Sequence, residues 1–360
     1  MVYNYFVKII GINDNESGQR LDRFLRKYLN NAPLSRIYKA IRKDIKINGK
    51  RCKEDYILQV GDEMSLFISD DELASLTKEK PRNRAKRQFT IVYEDAHIIA
   101  VSKPFGLLTH GDSFEKKNHL ANQVVDYLIE KGDYDPRVEK SFTPAPVNRL
   151  DRNTTGIVLF GKNAQSLREL NKHIRERGSI EKFYMTIVKG ELREKLHLQN
   201  FMVKDREKNL ASIVSEKQAA RMGGKALSME TFVEPVESCN GYTLVKVQIV
   251  TGRTHQIRLH MSKAGYPVIG DVKYGDKKVN QFVSRKFSLN TQLLHAYELK
   301  FLIEDGTLSY MNGKVLTCEL PEEFQRIYRG LLREKDGKRI QNRQQIYYSG
   351  SARSQGISEE

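Results

Sequence analysis

At 360 residues, with 39% hydrophobic and 29% charged side chains, the chain has the composition of a soluble globular protein and room for about two domains. No apolar run approaches the roughly 20 residues of a membrane span, and Met1 to Ile10 lacks the basic-then-apolar layout of a signal peptide, so a cytoplasmic protein is expected. The formal net charge of +16, spread along most of the chain, favours a polyanionic partner, of which nucleic acid is the commonest.

Gly18 to Ile68 read as a small unit of their own. Leu21, Phe24, Leu25, Tyr28 and Leu29 recur at helical spacing and predict a first helix with one apolar stripe. Ser35 is a good N-cap for a second helix, with Ile37, Ala40 and Ile41 on its inner side and Arg36, Lys39, Arg42 and Lys43 on a basic outer face. That helix runs into Asp44 to Arg51, where Asn48-Gly49 signals a hairpin turn and Lys50 adds a cation. Cations on one helix face beside a short basic hairpin form a track for phosphates. From Ser69 to Gln88 the apolar content collapses, and Asp70, Asp71 and Glu72 give way to Lys78, Lys80, Arg82, Arg84, Lys86 and Arg87 around Pro81. The expectation is a domain over 1–70 and a flexible charged linker over 71–88.

A larger domain is expected over 89–330. It opens with strands from Phe89 to Tyr93 and His97 to Lys103, joined by a turn at Glu94-Asp95-Ala96. A helix from Leu120 to Lys131 follows, and prolines at 144 and 146 bring the chain to Asp151. Leu167, Leu170 and Ile174 line a helix from about Ala164 to Arg177, stopped by Gly178. Tyr184 to Lys189 and Tyr242 to Val250 read as strands, the second with Thr243, Val245, Val247 and Ile249 on one side. Ile257, Met261 and Ala264 mark a helix ended by Gly265 and Pro267, with Arg258 near one end. Strands outnumber helices and no βα period recurs. The fold class is therefore α+β, a small α/β unit followed by a domain on a mixed, mainly antiparallel sheet with flanking helices. Beyond Phe324 the chain turns polar, and 331–360 read as a mobile tail.

The chemistry concentrates at Asn148-Arg149-Leu150-Asp151-Arg152-Asn153-Thr154-Thr155-Gly156, which runs straight into the apolar strand Ile157 to Phe160. One carboxylate, Asp151, sits in a loop between Arg149 and Arg152, and nearby cations hold a carboxylate ionised. Such an Asp is poised as a nucleophile or base. The bland alternative is that it closes a turn, as Asp often does. Cys52, Cys239 and Cys318 are far apart, the histidines show no metal-binding helix pattern, and no Gly-rich phosphate loop is present. Neither a disulfide framework, a metal nor a nucleotide cofactor is expected.

Together with Glu181-Lys182-Phe183-Tyr184, the run Thr251-Gly252-Arg253-Thr254-His255-Gln256-Ile257-Arg258-Leu259-His260 and Leu293-Leu294-His295-Ala296, the Asp151 loop resembles, in order and spacing, the RluA-type family of RNA pseudouridine synthases from roughly Phe89 to Phe324. Residues Gly18 to Ile68 resemble the S4 RNA-binding domain in Arg20-Leu21-Asp22, Phe24-Leu25, Leu34-Ser35-Arg36, Ile47-Asn48-Gly49-Lys50 and Val60-Gly61-Asp62. They depart from it at Lys43-Asp44, where a Gly is usual. The resemblance implies a cofactor-independent isomerisation in which the bond from ribose to uracil N1 breaks, the base turns, and it rejoins through C5. It assigns Asp151 as the obligatory carboxylate, as covalent nucleophile or as base. Arg258 would pair with Asp151, Tyr184 stack on the extruded uracil, and Arg149 fill the vacated place in the RNA. Arg152 would meet phosphate, Arg253 and His255 would touch the RNA backbone, and Lys103-Pro104-Phe105-Gly106 would shape the pocket wall. Asn148 stands where many relatives have His, which bears on substrate or loop geometry.

The implied partner is structured RNA, with ribosomal RNA favoured over transfer RNA, and the implied state is a monomer. The alternative is a non-catalytic RNA-binding or ribosome-assembly protein that retains the fold; intact Arg149, Asp151, Tyr184 and Arg258 argue against it. A hydrolase using Asp151 and His255 lacks an evident nucleophile or metal set.

Overall fold

The computed structural model describes residues 7–77, 85–139, 141–205 and 210–333. The first unit is built from β1 (Val7–Gly11), α1 (Leu21–Tyr28), α2 (Leu34–Lys43), β2 (Ile45–Ile47), β3 (Glu63–Phe67) and α3 (Asp70–Leu76). Its strands form an antiparallel sheet in the order β1-β3-β2. The expected stripes close the core: Leu21, Phe24 and Leu25 of α1 and Ile37, Ala40 and Ile41 of α2 pack on Ile45, Ile47, Met64 and Leu66. Asn48 and Gly49 take φ of 49° and 75°, the paired positive values of a tight hairpin turn, and Ile47 and Lys50 exchange backbone hydrogen bonds across it at 2.8 and 2.9 Å.

Two expectations change here. The second helix starts at Leu34 rather than behind a Ser35 cap, because Pro33 holds the extended cap conformation and its carbonyl accepts the N–H groups of Arg36 and Ile37. The start of the expected linker is helical. Ser69 accepts from Glu72 N–H at 3.3 Å, Asp70, Asp71 and Glu72 complement the positive end of the helix, and Leu73 and Leu76 are buried in the first unit's core. Low apolar content is a poor guide to such a segment, since two leucines three apart suffice on a capped turn. The basic stretch 78–84 lies outside the described residues.

The larger unit runs through β4 (Thr90–Glu94), β5 (Ile98–Lys103), α4 (Leu120–Lys131), β6 (Ala145–Pro146), β7 (Thr155–Gly161), α5 (Ala164–Glu176) and β8 (Ile180–Lys189). It continues with β9 (Leu196–Asp205), β10 (Leu210–Val214), α6 (Glu216–Arg221), β11 (Leu227–Cys239), β12 (Tyr242–Ile249) and α7 (Gln256–Lys263). It closes with α8 (Lys277–Phe287), β13 (Leu294–Phe301), β14 (Val315–Thr317) and α9 (Glu322–Tyr328). Among the described residues, eleven strands form one sheet in the order β10-β9-β11-β12-β8-β13-β7-β5-β4, with β14 on β13 and β6 on β7. The sheet is mainly antiparallel with flanking helices, as expected; β13 and β7 are the parallel pair.

β9, β10 and β11 are not legible in the sequence, because polar and charged residues interrupt their alternation and they are completed as strands by pairing with one another and with β12. The C-terminal boundary also moves. Phe324, Ile327, Leu331 and Leu332 are buried against Met185, Ile187 and Leu244, so the packed unit reaches past 330. The expected tail over 334–360 lies outside the described residues. Side chains link the two units: Asn15 donates to Glu139 at 2.8 Å and accepts the Ala164 N–H at 2.7 Å, while Gln19 donates to Ser141 at 2.8 Å.

The parallel contact in mid-sheet positions everything that follows. His295 pairs with Thr155 and Ala296 with Gly156, which brings β13 against the start of β7. Gly156 has φ of 107°, and a Cβ there would lie 2.1 Å from the Ala296 carbonyl oxygen. Only glycine fits. Gly156→Ala should therefore destabilise the protein by roughly 3 kcal/mol or more, read as a lower denaturant midpoint; a change below about 1 kcal/mol would show that the two strands can part there.

Candidate active site

The loop carrying Asp151 leads into β7 and is fastened at almost every residue. Asn148 works as a piece of strand: its amide donates to the Ile157 carbonyl at 3.1 Å and accepts the Leu159 N–H at 2.9 Å. This gives the Asn in place of His a structural reason, since one amide group supplies the donor and acceptor that a strand edge requires. Leu150 is buried and exchanges hydrogen bonds with the Thr109 hydroxyl at 3.1 and 3.2 Å. Asn153 donates to Thr291 at 3.0 Å. The Thr155 hydroxyl meets His295 Nδ1 at 2.7 Å, and His295 Nε2 faces the Cys318 carbonyl at 3.1 Å. A carbonyl only accepts, so Nε2 carries the proton and Nδ1 accepts from Thr155. Burial pushes the His295 imidazole down to about 4, which keeps it neutral.

Lys103, at the end of β5, is fully buried and donates to the carbonyls of Pro104, Leu107 and Arg152 at 3.0, 2.8 and 2.9 Å. It ties the Lys-Pro-Phe-Gly turn to the Asp151 loop. The expectation of a pocket wall alone missed that role; a lysine closing a strand that opens Ile98-Ile99-Ala100-Val101 was the signal. Burial lowers its ammonium to about 7, with the charge of Asp151 opposing the shift.

With the loop fixed, Leu150 points inward, Arg149 and Arg152 are exposed, and the Asp151 side chain stays 33% exposed. Arg258, near the start of α7 and with a side chain only 5% exposed, reaches Asp151 Oδ2 with Nη1 at 3.2 Å. The two-pronged carboxylate grip goes elsewhere. Nε and Nη2 of Arg258 each lie 2.7 Å from the oxygens of Asp271, whose side chain is 1% exposed. Asp271 Oδ1 also accepts the backbone N–H groups of Lys273 and Tyr274. Burial works against both charges, but mutual hydrogen bonding outweighs it, holding Arg258 above and Asp271 below their ordinary values. Sequence reasoning missed Asp271 and Tyr274. The glycines at 270 and 275 bracketing them were the available signal, and a Cβ at Gly270 would lie 2.2 Å from the Thr291 carbonyl oxygen.

Tyr184, on β8 between Val247 of β12 and Ala296 of β13, is buried near enough to Asp151 to feel its charge. Burial, then the charge of Asp151, raises its phenol well above the ordinary value, so it stays protonated. Three of the expected RNA contacts already have partners within the fold. His255 is held beside the carboxylate, Nε2 lying 3.9 Å from Asp151 Oδ2. Arg253 is half-buried, its Nε donating to the Ser228 carbonyl at 3.2 Å. Arg36, with a side chain 16% exposed, is ion-paired to Asp44 at 2.7 Å and Glu72 at 2.6 Å. Its charge serves the packing of α2 against α3. Lys39, Arg42, Lys43 and Lys50 are exposed or half-exposed. Among the described residues, no group of three or more His, Cys, Asp or Glu is arranged to hold a metal ion, and no helix is long and apolar enough to cross a membrane.

Comparison with known proteins places the chain among relatives of one family. Residues 97–263 match the RNA pseudouridylate synthase family. The chain is 34% identical over 320 residues to ribosomal large subunit pseudouridine synthase C of Escherichia coli K12, covering 88% of this chain and 93% of that protein. It is 34% identical over 301 residues to the Vibrio vulnificus protein of the same name, covering 82% and 88%. The solved structure of human RNA pseudouridylate synthase domain containing 4 shares the fold at a TM-score of 0.52 and 21% identity, over 67% of this chain and 92% of that one.

The lowered Lys103 value fixes a pH signature. Between about 7 and the ordinary 10.5 the folded protein binds fewer protons at this lysine than the unfolded chain does. Its effect on stability is therefore unfavourable below about 7 and improves as the pH rises through that window. Relative to Lys103→Met, the wild-type protein should gain stability from pH 7 to 10 in denaturant titrations; a flat difference would mean the amine stays charged in the fold.

Proposed function

The chain belongs to the RNA pseudouridylate synthase family and is an isomerase of RNA uridine to pseudouridine, and from that premise we propose that it acts on large-subunit ribosomal RNA with Asp151 as the reacting carboxylate. The observation that carries the assignment is the Arg258 guanidinium, gripped through two nitrogens by Asp271 and offering the third to Asp151. Burying that much charge costs several kcal/mol and yields no surface for a partner, so a protein that only binds RNA has no use for it. The reaction has a use for it: a carboxylate kept charged and aimed by a fixed cation.

Arg258 and His255 both address Oδ2 of Asp151, so Oδ1 is the oxygen presented to the substrate. The target uridine leaves its stack, as a base inside an RNA fold must before chemistry can reach it. Asp151 then acts at the sugar or the ring while the ribose bond to N1 breaks. The detached uracil turns, C5 bonds to the sugar, and the C5 proton is released as N1 takes one up, leaving composition unchanged. Tyr184, protonated and mostly buried, forms the floor against which the ring rests. Arg149 projects outward beside buried Leu150, which suits it to the gap left by the uridine, and Arg152 is placed for phosphate.

The first unit, read as S4-like, supplies affinity through Lys39, Arg42, Lys43 and Lys50, set along α2 and its hairpin. Ribosomal rather than transfer RNA is the substrate we infer, because the curated relatives that cover most of the chain are named for the ribosomal large subunit. We infer that it works as a monomer in the cytoplasm, where the ribosomal large subunit for which its relatives are named is found.

Asp151→Asn should abolish pseudouridine formation in purified protein while leaving RNA affinity within about tenfold, because affinity rests on phosphate contacts. Substantial turnover by that variant would remove Asp151 from the chemistry. Replacing Lys39, Arg42 and Lys50 together by Ala should lower the dependence of log affinity on log salt by up to about two to three, at roughly 0.7 to 0.9 for each phosphate no longer neutralised. An unchanged slope would take this face out of RNA binding.

A further inference from the structure

The turn from Asp271 to Tyr274 holds one side chain that the reaction described above leaves without a role. The Tyr274 hydroxyl lies between the backbone N–H of Ala211, which donates to it at 2.8 Å, and Nδ1 of His255 at 3.0 Å. The phenolic oxygen accepts the Ala211 N–H and still has its own proton to donate to Nδ1, an arrangement that leaves the imidazole proton on Nε2. Nε2 is the atom that faces Asp151 Oδ2. Burial pushes the His255 imidazole down to about 4, Asp151 working against the shift and Arg258 and Lys273 with it, so the ring is neutral near pH 7.

The tyrosine ring is held from other sides as well. The Arg258 guanidinium carbon lies 5.3 Å from its centroid, the His255 ring meets it edge-on at 5.6 Å, and its backbone N–H donates to Asp271 Oδ1 at 3.2 Å. His255 itself takes a left-handed φ of 57°, a conformation that persists in a non-glycine residue only where its surroundings fix it.

The other end of the link is a sheet edge. Among the described residues β10 is the outermost strand of the large sheet, and the Ala211 N–H finds Tyr274 there instead of a further strand. Ala211, Met202 and Met229 pack with Leu259 of α7, Ile213 and Tyr274 in one small cluster. Beside it, Leu210 and Lys204, the residue opposite Ala211 on β9, are exposed. RNA resting on this edge would bear on Tyr274 directly.

We propose that Tyr274 is a positioning residue for the isomerisation, its hydroxyl coupling the seating of β10 to the tautomer and orientation of His255 at Asp151. The 3.9 Å gap from Nε2 to Oδ2 is too long for a hydrogen bond and short enough to close when substrate fills the pocket. The inference rests on Asp151 being the reacting carboxylate.

Tyr274→Phe removes only the hydroxyl and keeps the ring beside Arg258. Together with His255→Asn and the double variant, it should be assayed as full-length protein for pseudouridine formation in a large-subunit ribosomal RNA transcript. The expected result is a kcat about tenfold lower for Tyr274→Phe, with KM within about twofold and an unchanged unfolding midpoint, and a double variant no slower than His255→Asn alone. Unchanged kcat, a loss confined to KM, or a loss that adds in full to that of His255→Asn would overturn the coupling. A rate loss accompanied by a lowered unfolding midpoint and not shared with His255→Asn would count against it equally. Wild-type turnover that disappears in Asp151→Asn keeps the two readings apart, since it leaves the proposed function standing whatever Tyr274→Phe does. Wild-type protein without turnover would overturn both.

Discussion

A guanidinium taken almost entirely out of water is the constraint around which the site is built. Alone, a buried Arg258 would cost several kcal/mol, and a single exposed carboxylate would not offset it. Asp271 does so with two short hydrogen bonds and is itself held by two backbone N–H groups. The pair is rigid because both partners are buried, and the third nitrogen of Arg258 is therefore fixed in space. Asp151 receives a cation that cannot swing away, although its own side chain remains one-third exposed. Preorganised charge of this kind needs no rearrangement when the reaction begins.

The same logic governs the loop. Residues from β5, the approach to α4, β7, β13 and the segment before β13 each fasten one part of 148–155, through Lys103, Thr109, the Ile157 and Leu159 backbone, His295 and Thr291. Most of these groups are themselves buried, so the loop takes its shape from the sheet. That explains how an irregular segment can hold the Asp151 carboxylate still while Arg149 and Arg152 face outward. Positively charged residues thus divide by burial. Arg258 and Lys103 organise the site, Arg36 is tied into the first unit's packing, and Lys39, Arg42, Lys43, Lys50, Arg149 and Arg152 stay exposed.

Local signals in the sequence determined much of this protein. Helix α4 runs over Leu120–Lys131 as expected, α5 ends where Gly178 approaches, and Thr243, Val245, Val247 and Ile249 of β12 are buried as its alternation names, with Leu244 buried on the opposite face. Asp151, Tyr184 and Arg258 come together as the motifs imply. These features depend on residues within one or two turns of each other, or on short segments whose residue types leave few other uses: a loop carboxylate, a strand tyrosine, an arginine at a helix start.

Tertiary structure decided the rest. β9 to β11 are strands because neighbours complete their ladders, not because their own alternation demands it. Arg36 has the sequence of a phosphate ligand and the surroundings of an ion-pair partner, since α3 brings Glu72 to it. His255 points inward and Arg258 grips Asp271 because the turn after α7 folds back under the helix, bringing Asp271 and Tyr274 to groups that no local spacing connects. Charge, pattern and turn residues are properties of short segments and can be read from the chain. Which charge meets which depends on how distant segments close upon one another, and burial then fixes the partners that water would otherwise have replaced.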